Sequence, residues 1–181
     1  MISEELIRTI LKEYALPWSG IHGIAHWARV LENSMRLAEF TGAKVEVVQL
    51  FAIFHDARRV NEGWDTGHGR RGADFAASLR GSAFDLSAKE FDLLYTACVY
   101  HTDGLTDGDI TVQTCWDADR LDLGRVGIRP RSHYLCTEVA KDPQILRWAD
   151  ERSQKFFVPE IVHKEWGANI PLLNGKGRKK P

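Results

Sequence analysis

The ten-residue run from Val45 to Phe54 constrains this chain more than any other segment. Val45, Val47, Val48, Leu50, Phe51, Ile53 and Phe54 put apolar side chains on nearly every face of a helix, with Glu46 and Gln49 as the polar interruptions. A helix apolar on all sides must be surrounded by others, so the run predicts the centre of a helical bundle. It is far shorter than the ~20 residues needed to span a bilayer, and no transmembrane segment is expected. The run ends on His55-Asp56. Burying that ionisable pair without a partner would cost several kcal/mol, so the fold must supply something that compensates it.

The remainder of the chain also reads as helices. Ser3 can cap a first helix, with Glu4 and Glu5 in its opening turn and Leu6, Ile10, Leu11 and Tyr14 along one face, ending before Pro17. A second helix is predicted from about His22 to Phe40, closed by Gly42. A Gly-rich polar loop from Val60 to Gly69 precedes a helix over Arg70 to Leu79. Ser87-Ala88-Lys89-Glu90 is a capping box that opens a helix to about Tyr100. Thr106 or Asp109 can open the next, which is expected to reach Leu123 and stop at Gly124. Asp142-Pro143 reads as an N-cap with proline in the first helical position, opening a helix to about Lys155. With no period-2 segment, repeat or linker to interrupt them, these elements predict one all-α helical bundle over residues 1–173. The Gly- and Lys-rich stretch at 174–181 is expected to be disordered.

Composition narrows the function. The 181 residues, 44% hydrophobic and 27% charged, have the balance of a globular protein with a real core. Lys176, Arg178, Lys179 and Lys180 crowd the end of the chain, so residues 1–175 carry 20 positive against 25 negative side chains. A body of that sign argues against duplex nucleic acid as a partner. Met1-Ile2-Ser3-Glu4-Glu5 lacks the basic start and apolar core of a secretory signal, and a cytoplasmic location is expected. Cys98, Cys115 and Cys136 are odd in number and form no CxxC pair, so they read as small apolar filler.

The chemistry is carried by His26, His55-Asp56, His68 and His101, with Asp119 downstream, all at predicted helix ends or beside the polar loop. Imidazole and carboxylate together suit divalent manganese, iron, cobalt, nickel or zinc, with magnesium also a candidate. The absence of cysteine from the set argues against a structural thiolate zinc.

In order, the chain presents His26-x-x-Arg29-Val30, Phe54-His55-Asp56, Gly67-His68-Gly69-x-x-Gly72-Ala73, Tyr100-His101 and Asp117-Ala118-Asp119-Arg120-Leu121. This pattern, spanning about residues 20 to 125, resembles the HD-domain superfamily of metal-dependent phosphohydrolases. The resemblance implies an all-α bundle in which His26, His55, Asp56 and Asp119 hold a principal metal. Asp56 would bridge to a second, and His68 and His101 match the additional histidines of members that bind two ions. Asp119 is preferred over Asp117 because the family ligand is an Asp followed by a basic or small residue and then Leu. Asp117 lies about 200° round the helix and is the fallback, since both cannot ligate one ion. Asp122, three residues beyond Asp119, could sit behind the ligands or reach substrate. His22 can share the helix face of His26, whereas His133 and His163 read as surface residues.

After the His-Asp pair, where the commoner family form often has Gly-Lys, this chain has Ala57-Arg58-Arg59. Arg58, Arg59, Arg70 and Arg71 bracket the polar loop and are expected to bind phosphate through the planar fork of guanidinium. Asp56, Arg58 and Arg59 are the expected catalytic residues. Trp27, Trp64 and Trp116 neighbour the site elements and could stack a base or wall the pocket. The reaction that the resemblance implies is hydrolysis of a phosphomonoester or phosphodiester by activated water, on a small phosphorylated substrate, chiefly a nucleotide. Two rivals stand beside it. A di-iron oxygenase could use the same ligands, although the arginine-rich surround argues against it. A non-catalytic nucleotide-binding regulatory module is disfavoured because every ligand position is filled.

Overall fold

The computed structural model describes residues 2–169, and among them the architecture is all-α, with no β-strand. The principal helices are α1 (Glu4–Glu13), α2 (Ile24–Thr41), α3 (Val45–Phe54), α4 (His68–Leu79), α5 (Ala88–Tyr100), α6 (Ile110–Arg120) and α8 (Pro143–Gln154). Two single-turn helices, α7 (Glu138–Lys141) and α9 (Ile161–Lys164), and two 3-10 turns at Leu123–Val126 and Ser132–Tyr134 complete the path. No described helix is long and apolar enough to cross a membrane.

The caps read from sequence set the starts of the helices. Ser3 Oγ accepts from Leu6 N, and Asp109 rather than Thr106 caps α6 through Thr111 N at 2.8 Å. Both halves of the Ser87–Glu90 capping box form, and Asp142 caps α8 with Pro143 behind it. Three boundaries differ from expectation. Helix α2 begins at Ile24, leaving His22 in the preceding turn; α4 begins two residues early, at His68; and α6 ends at Arg120.

As its composition requires, α3 lies at the centre, in contact with α2, α4, α5 and α6. Val47, Val48 and all residues from Leu50 to Phe54 are buried. Helix α2 is fastened to α6 by Asn33 Nδ2 donating to the Ala118 carbonyl, and α6 to α5 by Trp116 Nε1 donating to the Ala97 carbonyl. Trp27 and Trp116 are therefore core residues. Two glycines in the first turns of α4, Gly69 and Gly72, have a packing reason. A Cβ at Gly69 would collide with the Cys98 carbonyl oxygen and one at Gly72 with that of Phe54, so α4 comes close to α5 and α3 only because both positions lack a side chain. That approach carries His68 inward. The stretch at 174–181 lies outside the described residues.

Candidate metal centre

The ends of α3 and α5, the start of α4, the first turn of α2 and the last turn of α6 converge on one buried point. His26, His55, Asp56, His68, His101 and Asp119 all meet there. The burial is nearly complete, Asp119 being the most open of the six at 8%.

Each histidine is turned by an acceptor behind it. His55 Nδ1 faces the Phe51 carbonyl at 3.1 Å, His101 Nδ1 the Cys98 carbonyl at 2.7 Å, and His68 Nδ1 the Asp65 carbonyl at 2.5 Å. His26 Nδ1 lies 2.7 Å from Asp122 Oδ2. Carbonyl and carboxylate oxygens only accept, so each Nδ1 carries the proton and a neutral ring presents a bare lone pair at Nε2. All four Nε2 atoms point inward. His26 and His55 approach each other through Nε2 at 3.0 Å, and so do His68 and His101. Two lone pairs at that distance repel unless a cation lies between or beside them.

Asp56 divides its oxygens between the two pairs. Its Oδ2 is 3.5 Å from His26 Nε2 and 3.8 Å from His55 Nε2, while its Oδ1 is 3.2 Å from His68 Nε2 and 3.7 Å from His101 Nε2. Asp119 Oδ1 completes the first group at 3.5 Å from His26 and 3.7 Å from His55. That oxygen is buried without a hydrogen-bond donor. Separations of 3–4 Å between inward-facing nitrogen and oxygen donors are what ligands about 2.1 Å from a shared ion would show. The donor set, its geometry and the orphaned Asp119 oxygen all fit a metal, and the buried cluster of His26, His55, Asp56, His68 and His101 could hold one.

Electrostatics keep His55, Asp56 and Asp119 in their ligating forms. Burial pushes His55 down to about 3, so its ring is neutral. Burial opposes ionisation of Asp56, but the surrounding histidines outweigh it and hold the carboxyl well below its ordinary range. Asp119 is likewise lowered against its burial, chiefly by Arg125 and then by His55 and His26. Metal binding needs neutral imidazole and ionised carboxylate.

Of its two expected places, Asp122 takes the one behind the ligands. It receives Arg29 Nε at 2.7 Å and Nη2 at 2.9 Å besides His26 Nδ1, and is 1% exposed. Because α6 ends at Arg120, a turn swings Asp122 under α2, where it orients His26. Asp117 faces away, accepting Cys136 N at 2.7 Å and the backbone and hydroxyl of Thr137 at 2.8 Å. His22 is paired with Glu62 at 2.6 Å, its ring 6.3 Å from that of His26 and outside the ligand cluster. His133 and His163 are exposed.

Of the four arginines expected at phosphate, Arg59 alone reaches the cluster, with Nη1 3.4 Å from Asp56 Oδ1 and 3.1 Å from His68 Nε2. Arg58 turns outward to the Glu13 carbonyl and carboxylate. Arg70 bonds Tyr95 Oη on the outer side of α4 and α5. Arg71 is consumed by Asp65, the Thr66 carbonyl and the Arg58 carbonyl, and so braces the loop that aims His68. Neighbouring positions around a turn point in different directions, which proximity in sequence does not reveal. Arg125 was not singled out from sequence, yet its Nη2 lies 3.7 Å from Asp119 Oδ1 and its Nη1 donates to the Asp122 carbonyl. Its place three residues after Asp122 would have found it only with the turn after α6 known.

Beside the cluster opens a cavity of about 750 Å³ with His101 and Asp119 in its wall. Trp64, Thr102 and Gly104 after α5, Arg120 and residues from the segment after α6 line the remainder. A larger groove of about 890 Å³, between α2 and α8, contains none of the ligands. No family model, curated protein or solved structure matches this chain.

Proposed function

We propose that this protein is a divalent-metal-dependent phosphohydrolase of the HD-domain type, binding two ions and cleaving a phosphomonoester or phosphodiester of a small molecule, with nucleotides the first class to test. The observation that carries it is Asp56 set between two histidine pairs whose Nε2 lone pairs face each other at 3.0 Å, one carboxylate oxygen to each pair. His26, His55, Asp56 and Asp119 would hold the first ion, and Asp56, His68 and His101 the second. A divalent pair supplies Lewis acidity toward phosphate oxygen and makes water a nucleophile near neutral pH.

The chain's own contributions follow from position. Arg59, buried beside Asp56 and His68 with its nitrogens already bonded within the chain, sets a fixed positive charge next to the ligands that would offset charge building on non-bridging phosphate oxygens. Arg125 holds Asp119 ionised and in place. Asp122 fixes His26 with its lone pair inward, and the Asp65 carbonyl does the same for His68. The cavity beside His101 and Asp119 is where the remainder of the substrate would lie.

A second reading is favoured by one observation. Arg58, Arg70 and Arg71 turn away, so the cationic surround that argues against a di-iron oxygenase is reduced to Arg59 and Arg125 near the ligands. The deciding experiment measures the metals of the purified protein. It then screens nucleoside mono-, di- and triphosphates and cyclic dinucleotides for phosphate release with Mn²⁺, Co²⁺, Ni²⁺ or Mg²⁺. Metal-dependent release supports hydrolysis. Bound iron with O₂ uptake and no phosphate release would replace it with the oxygenase.

A further inference from the structure

The 750 Å³ cavity has two features that the metal cluster does not explain. First, its wall and mouth are apolar and aromatic. Trp64, Leu123, Ile128 and Tyr134 line it, and Trp64 is 91% exposed with no ring or hydrogen-bond partner among the described residues. Tyr134 and Ile128 are also more than half exposed. Apolar groups of this size gathered beside a buried ionic centre mark a surface that another molecule covers. Secondly, Arg129 and Arg131 line the same cavity, and neither guanidinium has an ion pair or hydrogen bond among the described residues. Arg29, Arg59 and Arg125, which lie at or behind the cluster, and Arg58 and Arg71, which turn away from it, are all engaged within the chain.

We infer that this cavity is a specificity site for a substrate carrying a flat aromatic group, which Trp64 stacks upon, and a second anionic group, which Arg129 and Arg131 receive. The inference rests on the phosphohydrolase reading for what happens at the metal cluster, but binding in the cavity does not depend on turnover. Continuity argues for a small-molecule occupant, since His101 and Asp119 share its wall. The side chains argue for its chemistry. An aromatic face accepts any planar ring, and two unpaired guanidiniums favour phosphate or carboxylate.

The test uses the metal-loaded protein and probes that it cannot consume by releasing phosphate. Adenosine, guanosine, cytidine and uridine supply the ring, ribose is the control without one, and α,β-methylene adenosine diphosphate supplies ring and charge together. Binding is read by calorimetry and by quenching of tryptophan fluorescence. Trp64→Ala is solvent-exposed and should leave metal content and melting temperature unchanged while weakening the nucleosides and the diphosphate analogue by about 5- to 150-fold. Arg129→Gln and Arg131→Gln should each weaken the diphosphate analogue by about 2- to 5-fold and leave the nucleosides alone. Equal binding by wild type and all three variants overturns the inference, as does failure of every probe to bind. Trp64-dependent binding without hydrolysis of any phosphoester would keep the inference and remove the phosphohydrolase reading. Hydrolysis indifferent to Trp64, with no probe bound, would do the reverse.

Discussion

Asp122→Asn probes the support of the metal cluster without touching a ligand. The carboxylate is buried and takes Arg29 on both oxygens, at 2.7 and 2.9 Å, and His26 Nδ1 at 2.7 Å. Asparagine keeps the volume but carries an NH₂ where an acceptor is required. Turned one way the amide opposes Arg29 Nε, and turned the other it opposes both His26 Nδ1 and Arg29 Nη2. Arg29 is then a buried cation without its counter-ion, a change that costs about 3–5 kcal/mol. For a chain of this size that corresponds to a fall of about 6–20 °C in Tm. Loss of the carboxylate behind a ligating histidine should also weaken metal binding about 10- to 100-fold. Calorimetric melting of the metal-free protein and Mn²⁺ titration measure the two effects separately. A Tm within about 2 °C of wild type together with unchanged Mn²⁺ affinity would refute the role assigned to Asp122.

Asp119→Asn should lose the first ion, whereas Asp117→Asn should keep it and lower stability by about 1–3 kcal/mol through the backbone donors of residues 136 and 137; metal analysis and denaturant melts distinguish them, and the reverse pattern would make Asp117 the ligand. Arg59→Gln should reduce kcat/KM on the best phosphoester by about 10- to 150-fold at constant metal content, while Arg58→Gln, which removes an outward pair with Glu13, should leave it unchanged; steady-state kinetics of the pair decide the matter. Acid should destabilise the metal-free protein between pH 6.5 and about 4. His55 is held down to about 3 and stays neutral when folded, so the unfolded chain binds the extra proton across that window and stability falls as pH falls. His22 is also lowered by its burial and acts in the same direction. His101 is raised against its burial, chiefly by Asp56, and its contribution is already complete below 6.5. The lowered carboxylates act only below their unfolded values near 4. Denaturant midpoints at pH 6.5, 5.5 and 4.5 that stay level or rise would contradict this.

Where a single helix decides the outcome, the sequence is informative. Val45 to Phe54 can be satisfied only at the centre of a bundle, and the capping box at Ser87 and the N-cap at Asp142 are local hydrogen-bond chemistry that tertiary packing leaves intact. The six ligand candidates are also legible, because lone ionisable residues at the ends of buried helices have few places to go. Direction is what sequence does not encode. Arg58 and Arg59 are neighbours, yet one bonds Glu13 at the surface and the other lies against Asp56. For Asp122 the sequence leaves a place behind the ligands and one toward substrate equally open, and it is the 3-10 turn after Arg120 that sets it under α2. The cavity wall at residues 123–135 has no periodic signal, being a loop whose shape is set by what it packs upon.

The most direct test is the number of divalent ions the protein binds. Mn²⁺ titrated into metal-stripped wild type should saturate at about two ions per chain, with His68→Ala and His101→Ala each lowering the count toward one, and Asp56→Asn disrupting both positions. Wild-type protein that is folded by circular dichroism yet binds no divalent ion, or whose binding is indifferent to Asp56, would contradict the account.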